Sequence, residues 1–335
     1  MKSFLWTSEI LLAAALAALL LPAISLAETD VDPVVERARQ IDRLHSLLVL
    51  HRGEPVTELV VAGPGLAQPA NIKSVSKTVL SVLAGIAIDR GLIESPDAPL
   101  VELLGDRFPE RATPGADRIT FGDALAMQIG LESTSGRHYG RFVQSDDWVR
   151  HVLTRPLVDR PGGRMIYSTG ATHLAAAALV ETSGKDLASL AREWLGEPLN
   201  IHIPDWLTDP QGVHFGGNEM VISPRALARI GELYRQGGRL NGRQIVSREW
   251  IERSWYPNGH SPWTGDGYGF GWFITEIGGM NAYYGRGFGG QALFVVPQAE
   301  LTLAITSNPN PPSPGGWQFR QLRELVALAI DHYTR

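Results

Sequence analysis

The sequence predicts an α+β protein: one antiparallel sheet flanked by helices, with an inserted helical lobe. Strand-like apolar runs stand near both ends of the mature chain, and helix-period segments fill its middle. No internal repeat or low-complexity linker divides it. Strands at both ends are most simply joined in one sheet, which leaves the middle as an insertion and a cleft between the two lobes. The sheet lobe then takes about residues 40–90 and 213–335, and the helical lobe about 91–212.

Residues 1–27 stand apart from this domain. Lys2 supplies a positive start, residues 10–27 are nearly all Leu and Ala, and Ser25-Leu26-Ala27 ends the run with small residues at the two positions that matter. This is the pattern of a secretory signal peptide cut after Ala27, leaving residues 28–335 as the mature domain. An uncleaved anchor is the weaker alternative, because a run interrupted by Pro22 falls short of the roughly 20 apolar residues a span needs. A periplasmic or secreted protein, with no stable membrane span after cleavage, is expected.

Residues 44–51 and 58–61 flank Arg52-Gly53-Glu54-Pro55 as two strands and a turn. Residues 71–90 then carry Val75, Val79, Val82, Leu83, Ile86 and Ile88 at helical spacing, with Gly91 as the stop. Helices are predicted over 121–128, 145–153, 170–182 and 186–195, often punctuated by Pro and Gly. Two more follow over 223–236 and 247–254, then strand-like runs at 269–277, 291–296 and 301–307, and an amphipathic helix over 317–333.

Composition excludes several classes. The 335 residues carry 30 basic and 35 acidic side chains, with no long run of either sign, so a clustered basic face for nucleic acid is not expected. There is no cysteine, which removes a thiol nucleophile, a disulfide framework and any Cys-based metal site. The nine His include no H-E-x-x-H and no close ligand cluster, so no metal is expected, nor an organic cofactor. No Ser sits in G-x-S-x-G. The 36 Gly and nine Trp suit aromatic-lined clefts, and suit core filling equally well.

The chemistry is carried by Ser74-Val75-Ser76-Lys77, an S-x-x-K pattern. On a helix, positions i and i+3 share a face, so the hydroxyl and amine can meet. Serine needs a neighbouring base, and a lysine serves if burial depresses its pKa. A helix N-terminus around Ser74 favours developing negative charge. The tetrapeptide alone is weak, since an N-cap Ser with a solvated Lys one turn on is commonplace. The apolar run Thr78-Val79-Leu80-Ser81-Val82-Leu83-Ala84 strengthens it by making the helix a central one.

With two further segments in order, the chain resembles the serine β-lactamase-related hydrolases: class C β-lactamases, DD-peptidases, and the esterases and 6-aminohexanoate-dimer hydrolases of the same β-lactamase/transpeptidase-like fold. Pro161-Gly162-Gly163-Arg164-Met165-Ile166-Tyr167-Ser168-Thr169 resembles the segment that carries the family's Y-x-N motif. Tyr283-Tyr284-Gly285-Arg286-Gly287-Phe288-Gly289-Gly290-Gln291 resembles the strand that carries K-T-G or H-x-G. The resemblance spans roughly residues 40–330. It implies Ser74 as nucleophile, with Lys77 and Tyr167 as a coupled acid–base pair. It also implies an oxyanion hole from the backbone N–H groups of Ser74 and Phe288, and substrate contacts at Thr169, Gly285, Arg286 and Gly287.

Two departures bear on the substrate. Thr169 stands where the family has an Asn that binds a substrate amide, and Gly285 stands where it has a Lys or His. Arg286 is placed on the opposite strand face by alternation. An ester or small-amide substrate is therefore favoured. The alternatives are a β-lactamase or D-amino-acid peptidase acting on cell-wall peptides, or a non-catalytic penicillin-binding-like sensor. The G-x-G-x-x-G formed by residues 285–290 precedes a strand rather than a helix, which argues against a nucleotide site. His138 and Tyr139 are placed in a loop at the cleft rim. His138 and His173 are candidates for substrate contact, though ordinary hydrogen-bonded histidines are commoner. Trp263, Trp272 and Tyr268 are candidates for an acyl pocket, with packing as the equal alternative.

Overall fold

The computed structural model describes residues 32–310 and 316–334. The segment expected to be a signal peptide, residues 1–27, lies outside them. Eight strands form one antiparallel sheet: β1 (Leu44–His51), β2 (Glu54–Val60), β3 (Gly259–His260), β4 (Gly267–Tyr268), β5 (Phe273–Ile277), β6 (Met280–Gly287), β7 (Gln291–Val296) and β8 (Leu301–Ser307). Their order is β2-β1-β8-β7-β6-β5-β4-β3, so the two ends of the chain meet where β1 pairs with β8. The described residues from Pro33 onward form one compact unit.

Of the helices, α1 spans Pro33–Arg39 and α5 spans Arg248–Ser254, and two others cover the two faces of the sheet. On one face lies α4 (Pro224–Arg235), whose Gly231 leaves room for Leu293, Val295 and Thr302. On the other lies α6 (Gly316–Thr334), whose Phe319 stacks near Tyr284 and Phe294. A strand covered on both faces is apolar throughout instead of alternating, and β7 and β8 are buried at every position. Among the described residues, no helix is long and apolar enough to cross a membrane.

The central helix α2 (Ser76–Asp89) is buried from Ser76 to Ala87, between the sheet and the middle of the chain. There the short helices Leu100–Leu104, Phe121–Leu125 and Trp148–Leu153 pack on α3 (Thr169–Ser183), as does α2.

Several elements differ from expectation. Strand β2 begins at Glu54, inside the turn expected over residues 52–55, and the helix expected from residue 145 begins at Trp148. The run 269–277 is not one strand. Tyr268 pairs with Phe273, and Gly269 to Trp272 form the turn of a hairpin, with Gly271 at φ +77°. The helix expected from residue 71 begins at Ser76. Ala70 and Asn71 pair instead with Val221–Ile222, and Lys73–Val75 form a single 3-10 turn. The helix expected over 121–128 stops at Leu125, and Met127 turns the chain at φ +62°.

Candidate active site

Ser74 sits in the 3-10 turn at the entrance to α2. Residues three apart eclipse in 3-10 geometry. Lys77 follows in the first turn of α2, and its Nζ donates to Ser74 Oγ at 3.1 Å. Lys77 is 2% exposed and also donates to the carbonyl of Gly217. Burial disfavours the ammonium and pushes the amine below the ordinary lysine value, while the Tyr167 phenol, as a neighbouring charge and hydrogen-bond partner, works in the other direction. The centre of the Tyr167 ring lies 5.0 Å from Nζ. The three residues expected to share protons are therefore brought together. A lysine amine whose protonated form is disfavoured by burial, beside a hydroxyl, has the arrangement needed to take its proton.

Tyr167 is fixed by a neighbouring segment. Ser133 Oγ donates to its carbonyl at 2.6 Å, and Thr134 N–H donates to Ser168 Oγ at 3.1 Å. The free N–H groups at the start of α3 are then capped from outside the helix: Thr169 N–H donates to Ser135 Oγ at 2.9 Å and Gly170 N–H to Thr134 Oγ1 at 2.8 Å. Thr169 is buried, and its hydroxyl shares a 2.8 Å hydrogen bond with that of Ser135. The side chain expected to face substrate is thus committed inside the protein.

The third segment lies on β6 against the nucleophile turn. A Cβ on Gly285 would lie 2.4 Å from Thr78 Oγ1 and 3.1 Å from Val75 Cγ1. A Cβ on Gly287 would lie 2.5 Å from the Ile72 carbonyl oxygen and 3.0 Å from Lys73 Cβ. Both glycines have ordinary strand backbone, so their requirement is for space. Arg286 points to the opposite face, its guanidinium 4.6 Å from the Phe319 ring centre on α6, which removes it from the candidate substrate contacts. Ser74 and Phe288 belong to two segments in close approach at Gly287, and Phe288 is half exposed. The strand that follows, β7, leaves no helix for a dinucleotide phosphate.

The remaining candidates divide. Trp272 packs in the core against Tyr234 and Trp255, and Tyr268 against Phe273, so neither lines an open pocket. Trp263 is 69% exposed, with its ring edge-on to Tyr167 at 5.8 Å. His173 is fully buried, and its Nε2 meets Asp209 Oδ2 at 2.9 Å. His138 lies beside Glu132 and Arg137. Tyr139 opens a short helix rather than a loop, and its hydroxyl accepts from Asn218 at 2.8 Å.

Several residues of the site carry no local signal. Gly217, which accepts from Lys77, belongs to a strap whose Met220 N–H donates to Ser76 Oγ at 3.2 Å and whose Met220 carbonyl accepts from Ile72 N–H at 3.0 Å. Glu219 of the same strap pairs with Lys73 at 3.0 Å. The Ser133-Thr134-Ser135 run looks like an ordinary polar loop until it is set beside Tyr167. Among the described residues, no group of three or more His, Asp or Glu side chains is arranged to hold a metal ion.

Comparison with known proteins adds four findings. The family described as Beta-lactamase matches residues 45–327. A 6-aminohexanoate-dimer hydrolase of Paenarthrobacter ureafaciens is 24% identical over 328 residues, covering 89% of this chain and 82% of its own. Among solved structures, EstCE1, a hydrolase with promiscuous acyltransferase activity, superposes with a TM-score of 0.71 at 18% identity, covering 88% of this chain and 97% of its own. A penicillin-binding protein homologue from Caulobacter crescentus does so at 0.69 and 18%, covering 86% and 92%.

Proposed function

The chain belongs to the beta-lactamase family of serine hydrolases, and from that premise we propose that it cleaves a neutral carboxylic ester or small amide through an acyl-enzyme on Ser74. The observation that carries this reading is the buried Lys77 amine 3.1 Å from Ser74 Oγ, with the Tyr167 ring beside it. Lys77 and Tyr167 take the Ser74 proton as one coupled unit while Oγ bonds to the substrate carbonyl carbon. The backbone N–H groups of Ser74 and Phe288 receive the negative charge on the carbonyl oxygen, where losing one donor costs about 3 kcal/mol in comparable sites. The proton passes to the leaving alcohol or amine as its bond to carbon breaks. Water then gives a proton to the same pair, its oxygen adds to the acyl carbon, and Ser74 leaves reprotonated.

Two observations favour a neutral substrate over a β-lactam. Thr78 fills the space a cation at residue 285 would need, and the Thr169 hydroxyl is held by Ser135. The leader pattern of residues 1–27 supports action outside the cytoplasm.

The test is intact-mass spectrometry after a fluorophosphonate probe, on wild type and Ser74→Ala. One adduct on wild type, mapped to Ser74 and missing from the variant, is expected, together with steady ester turnover lost in Ser74→Ala. Faster turnover of β-lactams than of esters would replace the ester reading. A trapped adduct without turnover of any panel member would make the protein a sensor. A folded wild type that takes no adduct refutes the mechanism. A mature mass beginning at Glu28 is expected for protein recovered from its native host, and an intact residue 1–27 segment there counts against the leader.

A further inference from the structure

The residue before the nucleophile is a lysine in a backbone conformation that L-residues avoid. Lys73 has φ +51°, in the left-handed region that only Gly, and occasionally Asn or Asp, visits readily. Glu219, its partner across the nucleophile turn, is also left-handed at φ +62°. Lys73 Nζ reaches both Glu219 carboxylate oxygens, at 3.0 and 3.1 Å. Both side chains are largely buried, at 20% and 23% exposure.

Their surroundings fix the turn further. Asn71 Oδ1 accepts the Lys73 N–H at 2.9 Å, and Asn71 Nδ2 donates to Glu219 at 2.5 Å. Asn218 Nδ2 donates to Glu219 at 2.9 Å, and Ser76 Oγ donates to the Lys73 carbonyl. On the other side, Gly287 leaves the space that Lys73 Cβ occupies. The pair is therefore tied to the nucleophile turn at one end and to the strap that accepts from Lys77 at the other. With Glu219 neutralising it, Lys73 does not serve as a free cation for a substrate carboxylate.

We propose that Lys73 and Glu219 are positioning residues. Their ion pair holds residue 73 left-handed, and so sets the direction of the next peptide N–H, that of Ser74, and the approach of Ser74 Oγ to Lys77. The strained conformation persists because the surrounding structure over-determines it. This inference rests on Ser74 being the nucleophile.

The test measures the rate of fluorophosphonate labelling of Ser74, with kcat and KM on p-nitrophenyl acetate, in wild type, Lys73→Ala, Lys73→Gly and Glu219→Gln, each checked for folding by thermal melt. Lys73→Ala keeps the strain and loses the tie. It should slow labelling and kcat by about tenfold or more, with KM nearly constant. Lys73→Gly also loses the charge but adopts the left-handed turn freely, and should recover to within a few-fold of wild type. Glu219→Gln should slow labelling with an intact fold. Lys73→Gly as slow as Lys73→Ala overturns the proposal, because charge and not conformation would then matter. So does Lys73→Ala as fast as wild type. If Lys73→Ala does not fold, Glu219→Gln decides, and unchanged labelling overturns the proposal. A folded wild type that is never labelled overturns the Ser74 reading and this inference with it.

Discussion

Replacing Gly285 by alanine tests whether the strand beside the nucleophile has room for a side chain at all. The backbone there is ordinary strand, so the added methyl meets no conformational penalty and its whole effect is steric. It would lie 2.4 Å from Thr78 Oγ1, 3.1 Å from Val75 Cγ1 and 3.3 Å from Thr78 Cβ. Thr78 is fully buried in α2, and its hydroxyl donates to the Gly271 carbonyl at 2.9 Å, so it cannot swing aside without orphaning a buried acceptor. Overpacking of this kind costs about 1–3 kcal/mol. At about 2 °C per kcal/mol for a domain of this size, Tm should fall by about 2–6 °C. Thr78→Ala alone should destabilise by about 1–3 kcal/mol through the acceptor it leaves unpaired. The double variant should be more stable than the sum predicts, by about 1–2 kcal/mol, because the second change removes what the first collides with. Calorimetry and urea melts on the four proteins give the cycle. An unchanged Tm in Gly285→Ala, with additive effects in the double variant, would mean that Thr78 does not close this position. The position would then be open to a lysine or histidine side chain, and the case against a carboxylate-bearing β-lactam would lose its main support.

Hydrolysis should rise with pH along a limb whose midpoint lies below the ordinary lysine value of about 10.4, because burial disfavours the protonated Lys77 and only the neutral amine accepts a proton. Lys77→Arg should remove that limb and lower kcat by about 10²–10⁴-fold. The same depression means that the unfolded chain holds this proton more tightly than the folded one, so stability rises with pH between the folded and unfolded Lys77 values, and Lys77→Met should flatten the slope in urea melts. For Asp209, burial pushes the carboxyl up, but the His173 hydrogen bond and charge and the N–H groups of Val213 and Gln211 outweigh it and leave the pKa lowered. The contribution of that lowered pKa is complete above the unfolded value of about 3.9 and lost as pH falls through the folded one. An acid titration should show less of that loss in Asp209→Asn, and His173→Ala, which strands a buried carboxylate, should cost about 3–5 kcal/mol in urea melts. Trp263→Ala should leave stability within about 0.5 kcal/mol and raise KM for esters with an aromatic acyl group, and an unchanged KM removes Trp263 from the substrate path.

What the sequence showed well was short-range or evenly periodic. Ser74 and Lys77 are one helical turn apart, and β7 and β8 fall on residues 291–296 and 301–307 because double burial makes them uniformly apolar. The run 269–277 reads as one strand because a hairpin between apolar flanks has the same composition as a strand, and only the left-handed Gly271 separates the two. Trp263 and Trp272 cannot be ranked by composition either. One is an exposed indole against Tyr167 and the other is core, and the difference arises only when distant elements pack. The ties that shape the site join residues 146 apart for Lys73 and Glu219, and 140 apart for Lys77 and Gly217. No local pattern records such pairs.

The pairing of β1 with β8 has a kinetic consequence. Ser46 and Thr306, whose hydroxyls bond across that pair, are 260 positions apart. Closing a loop of that size precedes any reward from the contacts it makes, and non-local sheets of this kind fold slowly. As the chain grows from its N-terminus, Leu47-Leu48-Val49-Leu50 emerges long before its central partner exists, an apolar segment with an unpaired edge open to self-association. A chain arrested before residue 301 would hold Ser74, Lys77 and Tyr167 and still lack the strand that joins the two halves of the sheet beneath them.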